Sequence, residues 1–415
     1  MATIAEVGRK ERASDCWVRL EIGERGGIEI GLKSKVKSMY GESIRDLAKE
    51  MMKFFGIENA SLYIEDGGTL PFVLKARIES AVKRCLPATK KEFLAEITPQ
   101  NLYRVDRDRF RRSRLYVPGD QPRLIINAGL YKPDGVILDL EDSVASSEKE
   151  SARFIVRNGL REVDFFGAER MVRINQLPMG LTDLAFAVPH GVHTILIPKC
   201  EDDETVKEVD AKVQELRRGY GIEEEVYLMP IIEGALGTIN AYKIATASPN
   251  IVALTIGLED FAADIGAERT MEGIESLLAR ESVVLAARAA GIQPIDSVFS
   301  DVADEEGLRE SVLEAKKLGF EGKGCIHPNQ IKIIHEKFAL TEQEIERAKR
   351  ISLALEEAQR KGAGVVALGS KMIDPPVVKR AERILRLAIL NGQLPKNWKE
   401  SLRGDLQDSG EAIRR

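Results

Sequence analysis

Cysteine and histidine are both scarce in this sequence. The four cysteines (Cys16, Cys85, Cys200, Cys325) lie far apart with no CxxC pair, which excludes a disulfide framework and a cysteine-based zinc site. The four histidines (His190, His193, His327, His335) show no HxxxH pairing, so zinc is disfavoured altogether. A positive excess is missing too. With 61 Lys+Arg against 66 Asp+Glu the formal net charge is -5, which leaves no global basic field for nucleic acid. No apolar run suggests a membrane span, and the first residues carry no signal-peptide core. The expectation is a cytoplasmic enzyme with reduced thiols and neither nucleic acid nor membrane as partner.

What is present describes a soluble globular chain, 44% hydrophobic and 31% charged. Its 415 residues are too many for one compact core, so more than one domain is expected. Near the start, "WVRLEI" and "GIEIGLK" alternate as half-buried strands, and the glycines between them permit a hairpin. "SIRDLAKEMMKFFG" follows at helical spacing, with Ser43 placed to cap its start and Gly56 its end. A further strand, "ASLYIEDGG", and the amphipathic "PFVLKARIESAVKRCL", with Pro71 in its first turn, complete a small β-β-α-β-α module. The expected divisions are this module at 1–86, a charged linker at 87–111, a main domain at 112–340, a C-terminal helical or lid segment at 341–392 and a tail at 393–415.

Beyond Ser113 eight short apolar runs recur, most separated by enough chain for a helix. Continuous apolar strands are what a parallel sheet buried on both faces requires. The predicted fold class is therefore α/β, a (β/α)8 barrel preceded by a small α+β domain. Almost every run stops at a group able to do chemistry: Glu141 and Asp142, Arg173 and Asn175, Lys199, Glu233, Glu259 and Asp260, Asp301, His327. The rim at the C-terminal ends of the strands is where such barrels build their sites.

Glu233 and Asp260 close adjacent strands and could share a hard divalent cation such as Mg2+, which takes oxygen ligands and keeps waters. Equally, they could be rim acids paired with arginines. In "IGLEDF" the glycine before Glu259 and Asp260 would let backbone N–H groups approach an anion, and Glu259 is a further substrate-binding candidate. Arg112 and Arg173 suit a substrate carboxylate, since guanidinium matches that planar anion in a bidentate way. Magnesium with arginines implies a small, multiply anionic substrate such as a 2-hydroxy or 2-oxo carboxylate.

A set of motifs in order, "RRSRLYVPGD", "VILDLEDSV", "MVRINQL", "IIEGALG", "IGLEDFAADIG", "PIDSVFSD", "GFEGKGCIHPNQI" and "GSKMIDPPVV", resembles the β subunit of citrate lyase and the related malyl- and citramalyl-thioester lyases. The resemblance covers about Arg111 to Leu390. It implies magnesium-dependent carbon–carbon cleavage of a 3-hydroxyacyl thioester, with Glu233 and Asp260 as metal ligands and Arg112 and Arg173 on the substrate. It also implies that Asp374, in the "MxDxP" stretch, is the general acid, supplied across an interface of a homo-oligomer (trimer or hexamer). Taken by itself, Asp374 before Pro-Pro reads as a helix start.

The first 84 residues are similar to the citrate lyase γ subunit, an acyl carrier, through "ASDC" and a following strand, "GGIEIGLKSKVKSMYG" and "LKARIESAVKR". That likeness implies a phosphoribosyl-dephospho-coenzyme A arm on Ser14, although Asp15 follows the serine directly where such carriers often have Gly. The chain is then expected to cleave a citryl thioester on its own carrier to oxaloacetate and an acetyl thioester, with a separate citrate lyase α (transferase) subunit as partner. The alternatives are a citramalyl-CoA or malyl-CoA lyase acting on free thioesters, its N-terminal module serving assembly, and a scaffold with a silent barrel.

Overall fold

The computed structural model describes residues 3–360, 366–368, 371–373, 375–390 and 392–399. Met1–Lys337 forms one compact unit and Phe338–Arg415 a second. Among the described residues no helix is long and apolar enough to cross a membrane.

The first unit opens with strands β1 (Thr3–Gly8), β2 (Cys16–Ile22), β3 (Ile28–Ser34) and β4 (Ala60–Asp66), in the order β1-β2-β4-β3. Two features depart from the sequence reading. β1 is an extra edge strand, antiparallel to β2. The two alternating segments are not a hairpin, because β4 lies between them, antiparallel to β2 and parallel to β3. Alternation shows which face of a strand is buried but not which strand lies beside it. Here β4 buries Ala60, Leu62 and Ile64, and its central place lets both neighbours share that core. Helix α1 (Lys37–Phe55) starts a turn and a half before Ser43, so Ser43 is interior and caps nothing; Gly56 ends the helix at φ 77°. Helix α2 (Pro71–Cys85) begins at the proline expected in its first turn.

Eight parallel strands then close into a barrel with flanking helices: β5 (Ser113–Pro118), β6 (Gly135–Asp139), β7 (Glu169–Arg173), β8 (Thr194–Ile197), β9 (Tyr227–Ile232), β10 (Ala253–Ile256), β11 (Gln293–Asp296) and β12 (Gly322–Cys325). Closure comes from β12 pairing with β5, Lys323 beside Ser113 and Cys325 beside Leu115. Ile137, Met171, Leu196, Met229, Ile231, Ala253 and Ile295 pack inside, so the barrel is a filled core open only at its ends.

The N-terminal module is fastened to this barrel. Helices α3 (Pro122–Asn127) and α4 (Lys149–Glu162) follow β5 and β6, and α2 lies along α4. The face of α2 that reads as solvated is buried there. Arg77 holds Asp15 at 2.7 Å and donates to Ser151 of α4 at 3.0 Å, while Arg157 of α4 holds Glu79 at 2.7 Å. All four charged groups are fully buried, and each pair supplies the counter-charge that burial demands. Residues 87–111, expected as a charged linker, also lie against the barrel. Asn101 donates to the Leu160 and Val163 carbonyls at 3.1 and 2.6 Å, and Arg111 pairs with Glu169 at 2.8 Å under the barrel floor.

The second unit holds helices Glu342–Arg360 and Pro375–Leu390 with a two-stranded ribbon, Val366–Leu368 and Lys371–Ile373. Ile345, Ala348, Ile351, Ala381, Leu385, Leu394 and Trp398 form its core. Asp374 lies outside the described residues.

Candidate active site

A cavity of about 370 Å³ opens at the C-terminal end of the barrel, lined among others by Arg114, Asp139, Arg173, Glu233, Glu259 and Asp260. Glu233, Asp260, Glu259 and Arg173, all chosen from sequence, therefore meet in one space. Arg112 does not. It precedes β5 at the opposite end of the barrel, where its Nε and backbone N–H both donate to Asp134 at 2.8 Å. A residue advances about 3.3 Å along a strand, so Arg112 lies roughly 7 Å nearer the barrel floor than Arg114.

Arg114 is the residue that sequence reasoning missed. Its side chain is buried, 1% exposed, and its guanidinium donates to Met229 Sδ and Thr255 Oγ1 at 3.1 Å and to the Asp296 carbonyl at 3.4 Å. Among the described residues no carboxylate pairs with it, and its Nε has no partner. Burial pushes its pKa down, and the charge of Arg111 adds to the fall. A desolvated cation without a counter-ion is costly, and in a cavity that cost is removed by an anionic ligand. The signal in the sequence was the doubled arginine of "RRSR", which does not say which arginine sits higher in the barrel.

Arg173 is differently placed. It holds Asp139 through two bonds of 2.7 and 2.8 Å and reaches Glu141 at 2.9 Å, so its charge is already balanced and its pKa raised. Lys199 follows β8 at φ 45°, a left-handed conformation unusual for a non-glycine residue. Its Nζ lies 3.5 Å from Glu141 and Asp260 and 3.7 Å from Asp142, while its backbone N–H donates to Glu233 at 2.7 Å.

The two carboxylates of the expected metal site are not engaged by arginine. Among the described residues Glu233 receives only the Lys199 N–H, and Asp260 only Lys199 Nζ. Burial pushes the Glu233 pKa up to about 7, and the charges of Asp260 and Glu141 add to the rise. A buried carboxylate crowded by like charge is the donor a hard cation would stabilise. The glycine of "IGLEDF" has a different use from the one expected. Gly257 N–H donates to the Ile232 carbonyl at 2.9 Å, and a Cβ at Gly257 would come within 2.6 Å of the Glu233 carboxylate. The glycine makes room for Glu233. Among the described residues no cluster of three or more His, Cys, Asp or Glu could hold a metal. That is compatible with magnesium, which commonly takes one or two protein carboxylates and completes its shell with water and substrate oxygens. Glu259 pairs with Arg269 at the cavity edge.

Ser14 sits at the mouth of β2, partly exposed, at φ 61°. Its N–H donates to the Gly67 carbonyl at 3.3 Å and its carbonyl accepts from Thr69 Oγ1 at 3.3 Å. The hydroxyl-bearing turn is thus held by backbone bonds, and the buried Asp15 anchors it.

Comparison with known proteins follows these boundaries. A family model described as HpcH/HpaI aldolase/citrate lyase matches residues 112–328, more than half of the chain. The chain belongs to this family. A second model, described as malonate decarboxylase delta subunit, an acyl-carrier type, matches residues 5–85. Among its family relatives, the citrate lyase subunit beta of Haemophilus influenzae is 42% identical over 68% of this chain and 97% of its own. The mitochondrial citramalyl-CoA lyase of Rattus norvegicus is 33% identical over 75% of this chain and 97% of its own. The solved structure of CitE from Mycobacterium tuberculosis in complex with magnesium, acetoacetate and coenzyme A superposes with a TM-score of 0.55. It is 30% identical, over 68% of this chain and 98% of that one. The family consists of carbon–carbon lyases, and this chain is one with an acyl-carrier-like domain at its front.

Proposed function

We propose that the chain cleaves a citryl thioester, carried on its own N-terminal domain at Ser14, to oxaloacetate and an acetyl thioester. The observation that carries the reading is Arg114, a buried cation without a carboxylate, in the same cavity as Glu233 and Asp260. Among the described residues Arg114 lacks a negative counter-charge, and Glu233 and Asp260 have only Lys199 as a near cation. A substrate carboxylate would supply the first need and Mg2+ the second. Magnesium held by Glu233 and Asp260 would supply Lewis-acid stabilisation of negative charge developing on oxygen.

The chain's own groups do the rest. Arg114 fixes a terminal carboxylate by charge-assisted hydrogen bonds, and the surrounding apolar wall excludes the water that would screen it. Arg173 holds Asp139, Glu141 and Asp142 in place and, through them, the position of Lys199. When the carbon–carbon bond breaks, its electron pair passes to the thioester α-carbon, which must then receive a proton. With Glu233 and Asp260 assigned to the metal, Asp374, from the C-terminal segment of a neighbouring subunit, is the donor. Ser14 bears the phosphoribosyl-dephospho-coenzyme A arm, and a separate citrate lyase α subunit exchanges acetyl for citryl on it.

The relatives leave a second reading, cleavage of a free citramalyl- or malyl-CoA thioester. Intact mass of protein from its native source decides between them. An adduct of the arm's mass that disappears in Ser14→Ala, together with loss of citrate turnover, is the expected result. Unmodified protein that turns over citrate with its α partner would overturn the carrier reading.

A further inference from the structure

We infer that the groove between the Ser14 loop and the barrel rim is the seat of a phosphate-linked, thiol-ended arm attached to Ser14. In this arrangement the arm swings while the carrier domain stays docked. The inference rests on the reading of Ser14 as the attachment point.

The groove, about 430 Å³, has Arg12 and Ala13 of the Ser14 loop on one wall. Arg123 and Leu124 of α3, then Tyr131, form another, and Ile326 and His327 after β12 a third. Tyr116 and Ile326 line both this groove and the cavity holding Glu233 and Asp260, so the two spaces share a wall at the barrel mouth.

The chemistry of the lining is of two kinds. Among the described residues neither Arg12 nor Arg123 pairs with a carboxylate, although Arg9 and Arg77 beside the same loop do. Unpaired guanidinium groups flanking a groove match phosphate oxygens. The same lining carries Leu124, Tyr131 and Ile326, 46%, 50% and 42% exposed, which suit the uncharged middle of such an arm. A ligand with phosphate at one end and an uncharged chain leading to a thiol fits that pair of chemistries, and Arg12 lies two residues from Ser14.

The loop itself is immobilised. Arg9 pairs with Asp120 on the barrel, and Asp15 is buried against Arg77, which also reaches Ser151 of α4. Glu79 and Arg157 add a second buried pair across the same seam. Undocking the domain would expose or separate these charges, a steep cost for a motion needed at every turnover. An arm fixed at the rim needs no such motion.

The test uses the full-length chain and free dephospho-coenzyme A as probe. Protein with Ser14 unmodified should bind the probe, and Arg12→Glu and Arg123→Glu should each weaken binding at least about tenfold, as expected for loss of a charge-assisted phosphate contact. Neither arginine makes an ion pair among the described residues, so both variants should keep the parent melting temperature, and Arg12→Gln and Arg123→Gln should show smaller losses. Protein bearing the arm should bind the free probe at least about tenfold more weakly than unmodified protein, because its groove is filled in cis. Unchanged affinity in both charge reversals would refute the groove, and equal affinity with and without the arm would refute its occupant. Intact mass showing no adduct on Ser14 would instead remove the carrier reading, and the cis occupant with it, whatever the arginine variants do.

Discussion

Replacing Arg114 by Met separates function from stability in opposite directions. Among the described residues the buried guanidinium has no carboxylate partner and keeps only two weak or long contacts and one to Thr255. Exchanging an unpaired buried charge for an apolar side chain of similar volume removes a desolvation cost, partly offset by the lost hydrogen bonds. Stability should therefore stay level or rise, by up to roughly 1–2 kcal/mol. Activity should fall steeply. Loss of a charge-assisted contact to a buried carboxylate costs about 2–5 kcal/mol, or roughly 30- to several-thousand-fold in kcat/KM. Urea unfolding measures the first quantity and steady-state cleavage of a soluble citryl or malyl thioester the second. Arg112→Met should do the reverse: it strips Asp134 of two side-chain hydrogen bonds and its counter-charge at the barrel floor, destabilises the protein, and leaves kcat/KM of the folded fraction near the parent value. A kcat/KM for Arg114→Met within threefold of parent, or a loss in Arg112→Met as large as that in Arg114→Met at full folding, would refute the reasoning.

Glu233→Ala or Asp260→Ala should abolish magnesium-dependent cleavage and magnesium binding by calorimetry while leaving the barrel's circular dichroism unchanged; activity of the parent protein in chelator would exclude the metal site. Asp374→Asn should lower turnover by about 10²–10⁴-fold with little change in magnesium binding. Mixing it with Glu233→Ala protein should restore part of the activity, and no rescue after verified subunit exchange would rule out a shared site. Acid should unfold the protein through His190 and His193, whose pKa burial depresses to about 3 each. The unfolded chain binds protons at these sites below about pH 6.5 and the folded one only near 3, so stability falls as pH drops through that window. From pH 7 to 4.5 the loss is up to roughly 2–3 kcal/mol per histidine. His193→Gln should flatten the urea midpoint against pH, and an unaltered slope would exclude His193 as a source.

The sequence by itself determined the architecture of the main domain and the chemistry at its rim. Eight apolar runs separated by helical lengths leave few alternatives to a parallel barrel, because only strands buried on both faces read that way. Glu233, Glu259, Asp260 and Arg173 were legible for the same reason: each ends such a run, and strand ends share one rim. Depth along the barrel was not legible. Arg112 and Arg114 have the same parity and so the same face, and only the start of β5 and its pairing with β12 show which of them reaches the cavity. The order of the N-terminal sheet was equally hidden, since alternation is blind to the neighbour, and β4 took the centre that a hairpin would have closed. The role of α2 was hidden too. Its Arg77 and Glu79 look like a solvated face, yet each has a buried partner, Asp15 and Arg157, 62 and 78 residues away in sequence. Local patterns set what a segment can bury, whereas contacts between distant segments decide what it meets. That is why the seating of the Ser14 loop on the barrel emerged only from the tertiary structure.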